Sequence, residues 1–247
     1  VKIKMDNTTM NNNEPNRSSG MSWMIPLIAV IIGLAVGFLG GKMMSRSDVD
    51  STAMKPEANQ TSMMTPATDT KSADLRVLLN ALEREHVNLA AAATRNGFDG
   101  NADFKASAGQ LDQNSQDIAA AVGSVYGKDA GDKFLQIWRS HIGFFVDYTV
   151  AAKKGDKAGM AKAVTDLGGY VDAISDFFSG ANPNLPRQAV KDLVGQHVTL
   201  LKSAVDSYGA ADYAASYAHE HEANVQIGKI ADAISGAIVK QKPESFK

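Results

Sequence analysis

Three histidines set at nearly constant spacing in amphipathic segments constrain this chain more than any other feature. His86, His141 and His197 lie 55 and 56 residues apart, in LLNALEREHVNLAAA, FLQIWRSHIGFFVDYTVAA and AVKDLVGQHVTLLKSAV. At about 100° per residue, His141 projects from the same helix face as Trp138 and Phe145. A histidine inside such a stripe has to be buried or paired, because an unpartnered polar group in apolar surroundings costs roughly 1–3 kcal/mol. The recurrence therefore predicts three copies of one packed unit, with Trp138 buried beside His141.

From Ser72 onward the apolar period is helical to the end. A first helix spans about Asp74 to Arg95, capped by Ser72 or Asp74 and stopped by the Gly97–Gly100 turn. A second runs through Phe104, Leu111, Ile118 and Val125 to Gly127, and the third, Phe134–Ala152, ends at Lys153–Asp156. The fourth carries Met160, Leu167, Val171, Ile174 and Phe178, and Asn182–Pro186 breaks it. The fifth carries Val190, Val194, His197 and Leu201, and the sixth, beyond Gly209, carries Ile227, Ile230, Ile234 and Ile238. Short turns make successive helices antiparallel neighbours, so the chain reads as an all-α domain of three repeated αα-hairpins over residues 72–241, followed by a tail at 242–247. One hairpin cannot bury its own apolar face, which predicts a bundle with one continuous core.

The segments before that domain have a different character. Residues 1–20 are polar, Asn-rich and aperiodic, the composition of a disordered tail. No charged residue lies between Arg17 and Lys42, and residues 21–41 are long and apolar enough to cross a hydrocarbon core of about 30 Å as a single helix. The run exceeds the roughly 7–15 apolar residues of a cleaved signal, so it reads as a retained anchor. Residues 42–71 are rich in Ser, Thr, Met and Pro, a flexible stalk. Lys and Arg flank the span almost equally, and the stalk composition puts the helical domain outside the cytoplasm, on a single-pass plasma-membrane protein. Ala29, Gly33, Gly37 and Gly41 form a small-xxx-small series that suits homodimer contact between two such helices, although Gly is common in membrane helices in any case.

Composition narrows the chemistry. A net charge of −2 lacks the basic excess of a nucleic-acid binder, and zero cysteines exclude disulfides and thiolate metal sites. A metal site here must use His, carboxylate or Met. The candidates are His86, His141 and His197, with His219 as an addition; imidazole suits copper, zinc, iron and nickel alike. Of the last two histidines, only His219, with Glu220 beside it, plots near the core direction set by Ile234, and His221 points away. Met43, Met44, Met54, Met63 and Met64 in or next to the stalk are soft donors suited to Cu(I). Asp117, Asp172 and Asp232, at similar offsets behind the three histidines, plot on the solvent side of their helices and are set aside as supporting carboxylates.

Several segments carry a resemblance: EHVNLAA around His86, LDQNSQDIAAAVGSVYG at Leu111–Gly127, the W-x-x-H-I-G-F-F run from Trp138, and LVGQHVTLL around His197. Together, over about Ser72–Val239, they resemble a family of secreted or surface-anchored bacterial helical proteins often labelled copper amine oxidase-like. True copper amine oxidases are much larger β-rich enzymes that build a quinone from a Tyr in an Asn-Tyr-acid motif, and this chain has no Asn-Tyr pair. The resemblance implies a cell-surface setting and a further histidine deep in the last helix, where this chain carries Val225 and Gln226.

Three functions fit these observations. The leading reading is a membrane-anchored extracytoplasmic structural or interaction module whose histidines are packed in its core. The alternative is transition-metal binding, copper foremost, through His86, His141 and His197; haem binding or pH sensing by the same residues is a second alternative. An enzyme is not expected, since no catalytic constellation, phosphate loop or H-E-x-x-H motif is present.

Overall fold

A computed structural model of the protein describes residues 68–247. The anchor at 21–41, the Ala29–Gly41 series, the stalk methionines and the tail at 1–20 all lie outside the described residues. Among the described residues there are six α-helices and no strand: α1 (Lys71–Asp99), α2 (Phe104–Tyr126), α3 (Lys128–Lys154), α4 (Lys157–Ala181), α5 (Arg187–Gly209) and α6 (Tyr213–Gln241). No helix among them is long and apolar enough to cross a membrane.

The helices begin and end for local reasons. The Thr70 side chain caps α1 by accepting from the Ala73 amide, so α1 starts slightly earlier than Ser72 or Asp74 would have it. Asp156 and Asp212 cap α4 and α6 in the same way, on the Gly159 and Ala215 amides. Gly100 and Gly155 close α1 and α3 at φ 75° and 66°, the left-handed conformation that costs glycine least. A single residue, Gly127, joins α2 to α3. The two helices then approach closely at Gly123 and Gly131, where a Cβ on Gly131 would stand 2.8 Å from the Ala119 carbonyl.

Each helix packs on its sequence neighbours and α6 packs back on α1, so the three hairpins close into a ring. The odd-numbered helices α1, α3 and α5 also touch one another, which makes them the inner set. Antiparallel hairpins make these three run in the same direction, and their buried residues stack in layers. One layer is Leu79, Phe134 and Val190; the next is Glu83, Trp138 and Val194; then come His86, His141 and His197, and beyond them Ala93, Tyr148 and Ala204. Ile118, Leu167, Ile174, Ile227 and Ile238 of the outer helices complete the core. The last residues are not a free tail: Pro243–Phe246 form a 3-10 turn, and Phe246 packs against the core.

Candidate metal centre

The three histidines stand at the same level because each lies twelve or thirteen residues before the end of its helix, on helices that run parallel. All three are buried, at 1%, 3% and 5% exposure. Their rings meet: His86 lies 5.3 Å from His141 and 6.3 Å from His197 between centroids. Trp138 closes one side, 4.8 Å from His86 and 4.7 Å from His141, and Tyr170 of α4 stacks on His141 at 4.5 Å.

The nitrogens of these rings are poorly satisfied. His86 Nε2 and His141 Nε2 face each other at 3.4 Å, while the other four ring nitrogens, both Nδ1 atoms of that pair and both nitrogens of His197, have no hydrogen-bond partner. An N–H bonded to a good acceptor lies at about 2.7–3.2 Å, so the facing pair is long for a hydrogen bond. It matches the edge of a tetrahedral site, since two nitrogens held about 2.0–2.1 Å from one ion are separated by about 3.3–3.4 Å. Among the described residues no three His, Asp or Glu side chains already surround one point in coordinating geometry. The His197 ring stands 6.3 Å from that of His86, and neither of its nitrogens bonds to the pair.

Burial also sets the protonation state. Loss of solvent pushes His141 down to about 3 and His197 to about 4, and holds His86 well below its ordinary value, with the neighbouring imidazoles adding to the effect on His86 and His141. All three are therefore neutral near pH 7, the form in which imidazole binds a metal.

Glu83 is a residue that residue-by-residue sequence reading misses. It is 4% exposed, one helical turn before His86, and its Oε2 has no partner. Desolvation raises its carboxyl to about 8, so it is mostly protonated at neutral pH, and its charge when ionised opposes ionisation of the nearby Tyr170. The signal was present in the repeat: Glu83 occupies the position of Trp138 and Val194, where the other two hairpins carry large apolar side chains.

A cavity of about 380 Å³ opens beside the pair, lined by His86 and His141 and extending along the C-terminal halves of α1, α3 and α5. It exists because Ala90, Ala93 and Ala204 stand on the inner faces of α1 and α5, too small to fill the space between the helices. Arg95, Asn96 and Asn101 lie toward its outer end, where Arg95 is paired with Glu220 and sits over the Tyr217 ring at 4.1 Å.

His219 does not join the core rings: it is about one-third exposed, with Nδ1 3.7 Å from Glu222. Its companion Glu220 is engaged by Arg95, and His221 is exposed. Asp172 and Asp232 form surface ion pairs with Arg187 and Lys191 and with Arg76, and Asp117 is exposed. Gln226 fills the last-helix position in question: it is buried, donates to the Leu193 carbonyl, and leaves its Oε1 unpartnered. No family model, curated protein or solved structure matches the chain.

Proposed function

We propose that the helical domain binds one transition-metal ion through His86, His141 and His197, on a chain whose residues 21–41 anchor it to the plasma membrane with the domain outside the cytoplasm. The observation that carries this reading is the facing Nε2 pair at 3.4 Å amid four unpartnered, buried ring nitrogens. Each orphaned buried polar atom costs about 1–3 kcal/mol, and both nitrogens of His197 are orphaned. A core that only packs has little reason to collect three such rings at one level. An ion held by the two facing Nε2 atoms and one nitrogen of His197 would replace a long nitrogen contact with coordination and give His197 a partner.

The donor set fits a borderline metal. Three neutral imidazoles with no thiolate suit copper, zinc, nickel or iron, and copper is the metal to test first because the resemblance of this sequence points there. Tyr170 would act from behind the rings by fixing the His141 plane through stacking. The His219 side chain and the stalk methionines are not required.

The test is thermal. One equivalent of Cu(II) or Zn(II) should raise the melting temperature, by an amount corresponding to about 2.7 kcal/mol when free metal is a hundredfold above its dissociation constant. His141→Ala should abolish the rise, and His219→Ala should leave it intact. A melting temperature indifferent to every metal, together with a destabilising His141→Ala, would instead favour histidines that serve packing alone in a structural or interaction module.

A further inference from the structure

The cavity beside the histidines has the chemistry of a ligand site in its own right. Its walls are alanines with Phe98, Phe104, Phe145, Leu201 and Val205, so the interior offers contact area with few polar partners. From His86 to Phe98 the α1 backbone advances by about 18 Å at 1.5 Å per residue, so the space is elongated along the bundle. The wall hydroxyls of Thr94, Thr149 and Ser216 are donated to backbone carbonyls, so the middle of the space offers no free donor. At the inner end stand the rings of His86 and His141, both over nine-tenths buried. At the outer end the lining cation, Arg95, is already neutralised by Glu220. Nothing in the lining compensates the desolvation of a charged guest.

We propose that this cavity binds an uncharged, elongated apolar molecule, an alkyl or aryl-alkyl chain, lying along α1 with one end against the imidazole rings of His86 and His141. The site stands whether or not an ion is bound, because the walls do not depend on one.

The experiment uses the full chain in lipid nanodiscs and a photoreactive decanol carrying an aliphatic diazirine, with labelled peptides mapped by mass spectrometry. Irradiation should label peptides from the C-terminal halves of α1 and α5, both with chelator and with added copper. Excess decanol should suppress that labelling, and decanoate at the same concentration should not. Ala204→Phe, which fills the cavity without touching the histidines, should reduce the labelling about tenfold. Thr149→Leu, at a second wall, should weaken it as well, and circular dichroism of both variants reports whether they remain folded. Labelling spread evenly over the surface, equal competition by decanoate, or undiminished labelling in a folded Ala204→Phe protein would each overturn the proposal. Labelling that persists while metal has no effect on stability would leave this site standing and remove the metal reading.

Discussion

Trp138 shows how one side chain can hold a polar cluster inside an apolar core. Its ring stacks on Phe134 at 5.2 Å and covers both His86 and His141, and it is 6% exposed. Trp138→Ala should cost about 3–5 kcal/mol in chemical denaturation, the usual loss for a large buried aromatic, and a cost under about 1 kcal/mol would mean that the stripe is not core. The titrating residues make a second prediction for the metal-free protein. The histidine values are lowered on folding, so their contribution is complete above 6.5 and is lost as pH falls toward about 4 and 3. Glu83 is raised from 4.5 to about 8, so its contribution is complete below 4.5 and is lost as pH rises through 8. Between 4.5 and 6.5 the unfolded chain takes up imidazole protons that the folded chain lacks, against one extra proton kept by Glu83, so stability should rise with pH. Between 6.5 and 8 the raised Glu83 carboxyl dominates, and stability should fall as pH rises. Denaturant midpoints measured against pH should peak near 6.5, and Glu83→Gln should flatten the alkaline limb alone.

At the scale of the helices, the close pair is α2 and α3, where the one-residue joint at Gly127 forces the backbones together at Gly123 and Gly131. Gly131→Ala drives a methyl into the Ala119 carbonyl and should destabilise by about 1–3 kcal/mol, the usual cost of overpacking. Gly143, exposed on the same helix with open space around it, supplies the control: Gly143→Ala should stabilise by about 0.5–1 kcal/mol. Equal effects at the two positions would show that the helices do not approach at Gly131. The helices themselves were largely legible beforehand, because apolar period and Gly or Pro punctuation are local. The ends were less so: α1 starts at Lys71 and runs on to Asp99, since Thr70 rather than Ser72 supplies the cap oxygen and the turn is closed by Gly100 rather than Gly97.

At the scale of the whole molecule, ring closure turns three similar hairpins into one site. Closure of α6 onto α1 brings α1, α3 and α5 into mutual contact, so residues 55 and 56 positions apart become neighbours at one level. A row of three hairpins would have left the middle histidine between two distant ones. The same closure creates the cavity, because Ala93 and Ala204 face one shared interior rather than two separate grooves.

Sequence by itself determined the helical class, the pairing of helices into three hairpins and the equivalent place of His86, His141 and His197 within them, all of which follow from short-range periodicity and a repeat that preserves register. Only the tertiary structure decided that two Nε2 atoms face each other at 3.4 Å while four ring nitrogens lack partners. It also decided that Glu83 is buried without a hydrogen bond to its Oε2, and that His219 stays at the rim with Glu222. The physical reason is that helical phase assigns a side chain to a face, whereas hydrogen bonding, desolvation and open volume depend on what the other helices bring to that face.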